Sequence, residues 1–122
     1  MKKLILAAVV VIGGGVQSVA ALAHHGWAWT TGKNIELSGV IKEVKLGNPH
    51  GVLKLDVAGG TWTVEVGQPW RNKRAGLKDG DFAEGVQIRV IGEPSANASE
   101  KRLKVERLFI GNREYVLYPD RS

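Results

Sequence analysis

The order of strand-like segments constrains the fold of this chain more than any other feature of its sequence. In several short segments apolar residues alternate with polar ones, which is the period of a β-strand with one buried face. Residues 53–57 alternate leucine and valine with lysine and aspartate, and Gly59-Gly60 then provides a hairpin turn. The same pattern predicts strands over 35–46, 53–57, 62–66, 86–90, 103–110 and 115–118.

The alternation is interrupted once, between the third and fourth strands. Residues 68–75 lose the period of two. Pro69 would lie in the first turn of a helix and Gly76 would follow its last turn, so this segment is predicted to be a short helix. Three strands, a short helix and two or three more strands are the order of an OB-type barrel. We therefore expect a mainly β fold, a small OB-like barrel of five to six strands. An open meander or half-sandwich is the alternative, but a chain of this size needs closure to bury a core and protect its strand edges.

The same patterns give four local expectations. Gly39 is expected to carry a bulge in the first strand, because the buried set changes face along that strand. The phase of the third strand places Trp62 inside and Glu65 in solvent. Trp70 is expected to dock the helix on the barrel, and residues 92–99 are expected to form a flexible loop.

The first 23 residues have the pattern of a signal peptide. Lys2 and Lys3 precede an uncharged apolar run, and Ala21-Leu22-Ala23 supplies the small residues expected before a cleavage site. We expect cleavage after Ala23, a periplasmic location, and one domain over residues 24–122. The alternative is an uncleaved anchor, because residues 4–23 approach the length that spans a bilayer. Otherwise, contact with a membrane is expected only through the signal peptide.

Composition excludes several function classes. The 122 residues contain no cysteine, which excludes disulfide scaffolds, thiolate metal sites, thiol catalysis and lipoprotein anchoring. The formal charge of +5 falls to +3 when Lys2 and Lys3 leave with the signal peptide. A modest positive charge on an exported protein is weak evidence for nucleic acid, and we expect none as a partner.

No catalytic constellation is evident in the sequence. Ser38 lies in a predicted strand, Ser95 and Ser99 lie in a predicted loop, and Asp79 and Asp81 flank a turn glycine. Elbow, metalloprotease and phosphate-loop motifs are missing. An enzyme is therefore the less favoured class.

The three histidines are the strongest candidate site residues. His24 and His25 would begin the processed chain, and His50 follows Asn48-Pro49 in the loop between the first two strands. The α-amino group and imidazole of His24 would chelate one metal ion, with His25 or His50 adding a nitrogen. Such donors suit copper first, then nickel or zinc. Alternatively the pair is solvated and His50 makes a local hydrogen bond.

Aromatic and basic residues form a second group of candidates. Trp27 and Trp29 share a parity, and either pin the N-terminal arm or stack on a ligand. The basic residues of the helix and of the fifth strand are expected to be solvated faces with a possible anionic partner. These are Arg71, Lys73, Arg74, Lys101, Arg102 and Lys104.

The motifs as a set resemble an exported bacterial family catalogued as domain of unknown function 6152. The resemblance covers the processed chain, and it implies small periplasmic OB-like proteins with no assigned activity. It carries His24, His25 and His50 over as shared motif residues. The family usually has Ser and Phe after the histidine pair, where this chain has Gly26 and Trp27. The matching segments are Ala23–Trp27, Leu37–Ile41, Asn48–His50, Gly76–Asp81 and Ile91–Pro94.

Two functions follow as hypotheses. One is a periplasmic binding protein that holds a transition metal through His24, His25 and His50. The other is a metal-free envelope module that binds a protein or an anionic surface through the barrel face or the basic helix. A third, minor reading is a redox or catalytic centre at an open copper site.

Overall fold

A computed structural model describes residues 26–121, which form a mainly β fold. The predicted signal peptide, His24 and His25 lie outside the described residues. The strands and the helix, in chain order, are β1 Ile35–Lys45, β2 Val52–Val57, β3 Gly60–Glu65, α1 Pro69–Arg74, β4 Gln87–Pro94, β5 Arg102–Ile110 and β6 Arg113–Val116. In the part of the chain that the structure describes, no helix has the length and apolar character needed to cross a membrane.

The strands form one sheet that closes on itself. Their order is β3-β2-β1-β4-β5-β6, and β3 also pairs with β5 in parallel. Five strands therefore make a closed barrel, and β6 adds to β5 outside the closure. The helix lies between β3 and β4 in the chain, so the predicted OB-like architecture is confirmed.

The inward positions of the strands fill the barrel with aliphatic side chains. Ile41, Leu55, Val64, Val90 and Leu103 are almost completely buried and belong to one core. Burial of this apolar surface is the main force that holds the closed barrel together.

The irregularity in β1 lies between Ile41 and Glu43 and not at Gly39 as predicted. Gly39 is paired regularly on both sides, with Val57 of β2 and Ile88 of β4, whereas the register with β2 shifts between Ile41 and Glu43. Gly39 has a different purpose, because a Cβ at that position would lie 2.5 Å from the carbonyl oxygen of Asp56. The glycine permits close approach of two strands, and the bulge is elsewhere.

Residues 92–99 are not the flexible loop that was expected. β4 continues to Pro94, and Ser95 is buried and bridges to Thr30. The backbone N–H of Ser95 donates to Arg102 O at 2.9 Å, and that of Ala96 donates to Trp29 O at 2.9 Å. The N-terminal arm supplies partners that the local sequence does not contain, so this connection is a bonded turn.

The helix is docked by Asn72 rather than by Trp70. The side chain of Asn72 is buried, accepts from the N–H of Gly67 at 2.9 Å and donates to its carbonyl at 3.0 Å. Trp70 is 52% exposed, so its predicted docking role is wrong. Gly76 ends the helix with φ of 102°, as predicted.

Candidate functional site

Three charged residues form one row on the outer face of the barrel. Glu65 on β3 is the ladder partner of Lys104 on β5, and Lys104 is the ladder partner of Glu93 on β4. Because the neighbours of Glu65 and Lys104 along the chain point into the core, period two directs this row outward. All three side chains are nevertheless buried.

Glu65 is the centre of the first charge cluster. Its Oε1 lies 3.4 Å from His50 Nε2 and 3.8 Å from Lys104 Nζ. Its Oε2 accepts from Arg102, with the Nε contact at 2.7 Å and a second contact from Nη2. The expectation that Glu65 faces solvent is therefore wrong, because three cationic or polar partners accompany it under a covering layer.

Lys104 is an ammonium group largely removed from water. Burial lowers the pKa of Lys104, and nearby Arg102, Arg71 and Arg121 add to this, while Glu65 opposes it. The prediction of a solvated basic face fails at this residue.

Aromatic rings cover the cluster. Trp27 meets Tyr118 edge to face with centroids 5.0 Å apart, and Lys104 Nζ lies 5.2 Å from the Trp27 centroid. Arginine guanidinium groups lie over these rings and over Trp29, at 3.7 Å for the Arg102–Trp29 pair. Burial raises the pKa of Tyr118. The interpretation of Trp27 and Trp29 as residues that pin the N-terminal arm agrees with these contacts.

His50 approaches the cluster from the β1–β2 loop. Its Nδ1 lies 3.3 Å from Gly51 O, and its side chain is partly exposed. Gly51 is itself held in the barrel, since its N–H donates to Gly67 O and its carbonyl accepts from the N–H of Val66, both at 3.0 Å. Nε2 faces Glu65 in either tautomer, and when Nδ1 carries the proton and donates toward Gly51 O, Nε2 keeps a free lone pair.

The N-terminal arm begins beside this cluster. A Cβ added at Gly26 would lie 3.4 Å from Lys104 Nζ, which is in turn next to Glu65 and then His50. Of the three predicted ligands, the structure places only His50, and it brings His50 together with Glu65. Within residues 26–121 no three histidine, aspartate, glutamate or cysteine side chains are grouped as a metal site.

A second carboxylate cluster lies next to the first. Glu93 accepts from Thr30 Oγ1 at 2.6 Å and from Arg121 Nη2 at 3.0 Å, while Glu106 accepts from Asn34 Nδ2 at 3.0 Å. Burial raises the pKa of Glu106, and the neighbouring Glu93 adds to this. Burial also acts to raise the pKa of Glu93, but hydrogen bonds from Thr30, Arg121 and Glu106 outweigh it, and this pKa is lowered.

Sequence reasoning missed most of these residues. Glu65 was predicted to face solvent, and the sequence did not identify Glu93, Glu106 or Tyr118 as site residues, because alternation does not show what covers the outer face of a strand. Two tryptophans in a short polar arm were the available signal, since exposed indole rings need a surface to cover. The structure also explains Asp81, which accepts from the N–H of Lys78 at 2.7 Å and shapes the turn, as predicted.

Comparison with known proteins supports the fold and gives a family. The model of a family of unknown function, DUF6152, matches residues 13–104. No curated protein matches the chain.

Solved structures resemble the barrel at low identity. A ZRD-deleted mutant of TiaS in complex with agmatine has a TM-score of 0.52 at 14% identity, covering 70% of this chain and 26% of its own. Yeast Stn1 and Ten1 give 0.51 at 13%, covering 66% and 43%. The Stn1-ten1 complex of S. pombe gives 0.52 at 17%, covering 66% and 59%. The chain thus spans less than two thirds of these structures, and the likeness shows the fold alone. The family match covers most of the chain, which therefore belongs to DUF6152, a family of unknown function.

Proposed function

We propose that this protein is exported to the periplasm and binds a transition metal, copper first, through His24, His25 and His50. The observation that carries the proposal is the position of Gly26, the residue bonded to His25, beside the Lys104–Glu65–His50 contacts. The export signal over residues 1–23 is part of the proposal, because cleavage after Ala23 would free the α-amino group of His24.

Chain geometry permits the histidine pair to reach His50. The contacts from Gly26 through Lys104 and Glu65 keep the Gly26 Cα within about 12 Å of His50 Nε2. The His25 Cα is about 3.8 Å from the Gly26 Cα in a trans peptide. When the chain runs from Gly26 toward His50, an imidazole side chain and two metal–nitrogen bonds of about 2.0 Å cover the remaining distance.

Glu65 gives the proposed site a carboxylate. The 3.4 Å between His50 Nε2 and Glu65 Oε1 is compatible with two ligands of one ion at bond lengths of about 2.0–2.1 Å. His50 can bind the ion through Nε2 together with Glu65, while the contact of its Nδ1 with Gly51 O at 3.3 Å orients the ring, as outer-shell partners of metal-bound histidines do. Imidazole and amine nitrogens with one carboxylate suit copper(II), nickel(II) or zinc(II), and copper binds most tightly in the general order.

A copper(II) titration of the naturally processed protein tests the proposal. The N-terminus is established by intact mass, and binding is followed by electron paramagnetic resonance for the parent, His50→Ala and Asn48→Ala. Asn48 is exposed in the same loop, so its variant controls for loop disturbance. We expect one equivalent of copper to bind, with nitrogen hyperfine structure in its spectrum. His50→Ala should weaken the affinity for copper about 10-fold or more, and Asn48→Ala should leave it unchanged. An unchanged spectrum in His50→Ala would reduce the site to the N-terminal pair, and no binding would reject it.

The second candidate is a metal-free envelope module. It is favoured by exposed apolar residues on β1, Ile35 and Val40, and by the exposed cations Lys73 and Arg74 on α1. This function would persist when metal is removed. Unfolding temperatures measured with and without copper and a chelator separate the two, because only the metal proposal expects stabilisation by copper.

A further inference from the structure

A groove lies at the end of the barrel next to the helix, separate from the proposed metal site. It has a volume of about 840 Å³ and lies between the end of β1, α1 and the segment that follows α1. Its apolar lining consists of Leu46, Pro69, Trp70, Leu77 and Phe82. This volume is in the range of small-molecule pockets, about 300–1,000 Å³.

The groove contains apolar surface that the fold does not need to expose. Among residues 26–121, Trp70 and Leu46 are the most exposed large hydrophobic residues, at 52% and 48%, and both line this one groove. Leu77 and Phe82 are buried beneath them. Exposed apolar residues concentrated in one concavity indicate a ligand site more strongly than scattered ones do.

The helix that forms one wall of the groove is held to the barrel by specific contacts. The helix is tied to the barrel by both hydrogen bonds between Asn72 and Gly67. The Arg71 guanidinium lies over the Trp70 ring, 4.6 Å from its centroid, and also over Tyr118 at 4.0 Å. A preformed site loses little conformational entropy on binding.

Charge at the groove favours an anion. Lys73 and Lys78 line it together with one carboxylate, Asp79, and both lysines are exposed. Two ammonium groups beside an apolar floor complement a carboxylate with a hydrocarbon tail. The geometry points to the groove as a binding site for a free amphipathic carboxylic acid of medium chain length, its tail against Trp70 and Leu46 and its carboxylate near Lys73 and Lys78.

Calorimetric titration with decanoate, below the concentration at which it forms micelles, tests this inference. We expect saturable one-to-one binding, and we expect Trp70→Ala to weaken it by about 10-fold because the ring supplies much of the apolar contact. Ile35→Ala removes an exposed apolar side chain outside the groove and is expected to leave binding unchanged. Equal binding by Trp70→Ala and the parent, or no saturable binding, would overturn the proposal.

Two further arms test the charge and the source of the ligand. Lys73→Gln with Lys78→Gln should weaken decanoate binding about fivefold but leave 1-decanol unaffected, while Arg74→Gln on the same helix serves as the charge control. Equal affinity for decanoate and decanol in the parent would refute the acid class. Sedimentation with anionic phospholipid vesicles, without binding of free decanoate, would assign the groove to a membrane surface and also overturn the inference.

Discussion

The buried pair Glu93 and Glu106 gives a prediction in which two similar substitutions have unequal effects on stability. Both carboxyl groups are almost fully buried on the outer face of the barrel, but the pKa of Glu93 is lowered and that of Glu106 is raised. Glu93 therefore serves as the anion that accepts from Thr30 and Arg121, while Glu106 holds its proton more tightly than usual. Glu93→Gln and Glu106→Gln both replace a carboxyl group by an amide, but we expect them to lower the free energy of unfolding by different amounts.

The magnitudes follow from the hydrogen bonds. Glu93→Gln removes the charge from two bonds, at 2.6 and 3.0 Å, and hydrogen bonds to charged groups contribute about 1.5–3 kcal/mol each. An amide oxygen still accepts one bond, so we expect a loss of about 2–4 kcal/mol. For a domain of this size that lowers Tm by roughly 10–25 °C. Glu106→Gln keeps the acceptor for Asn34 and supplies an N–H toward Glu93, so it should stay within about 1 kcal/mol of the parent.

The two groups also act in different pH ranges. Because the folded-state pKa of Glu93 is below its ordinary value of 4.5, its contribution is present above pH 4.5 and is lost as pH falls through the folded value. Because the folded-state pKa of Glu106 is above 4.5, its contribution is present below pH 4.5 and is lost as pH rises through the folded value. Glu106→Gln should remove only the decline in stability that the parent shows as pH rises above 4.5.

Urea unfolding of the parent and the two variants from pH 3.5 to 8 measures these effects. Glu114→Gln is the matched control, since Glu114 forms an exposed pair with Arg107 and its loss should change stability by less than about 0.5 kcal/mol. Equal destabilisation by Glu93→Gln and Glu106→Gln would refute the reasoning. Parallel curves of unfolding free energy against pH for the parent and Glu106→Gln above pH 4.5 would also refute it.

Three further substitutions test the packing by thermal unfolding. Asn72→Ala should cost about 2–4 kcal/mol because it leaves both backbone groups of Gly67 without partners, and a loss under 1 kcal/mol would contradict the docking role of Asn72. Gly92→Ala should cost more than about 3 kcal/mol or prevent folding, since its Cβ would lie 2.0 Å from Lys104 O; near-parent stability would show that β4 and β5 separate easily. Lys104→Met should stay within about 1 kcal/mol of the parent, because Arg102 still pairs with Glu65 and burial of the ammonium offsets its attraction to that carboxylate; a loss above about 3 kcal/mol would mean that the ion pair dominates.

The barrel could be predicted because its determinants are local. Each local signal lies within a few residues of sequence: the strand period, the glycine pair at 59–60, and Pro69 and Gly76 at the two ends of the helix. Closure of the barrel follows from the need to bury Leu55, Val64 and Leu103 together. The bulge in β1 was predicted at the wrong residue because a glycine in a sheet marks either a bulge or a close approach of two backbones. At Gly39 the carbonyl of Asp56, which is distant in sequence, decides between them.

The candidate site was less predictable because alternation shows which face a side chain is on and not what covers that face. Glu65, Lys104 and Glu93 face outward as the period requires, but residues from both ends of the described chain lie over them. His50 was identified from the Asn48-Pro49-His50 step, whereas its partner Glu65 is not adjacent in sequence and depends on β3 pairing with both β2 and β5.

The N-terminal arm is what turns this outer face into a candidate site. Thr30 and Asn34 donate to Glu93 and Glu106, Trp27 lies over Lys104, and Trp29 lies under Arg102. Without those contacts the charges of β3, β4 and β5 would be hydrated, and the face would be the solvated one that the sequence predicts. Several of the residues that desolvate the cluster thus belong to the arm that brings Gly26 to it. A metal bound by His50 and the histidine pair would stabilise the arm against the barrel, so the proposed ligand and the covering layer would stabilise each other.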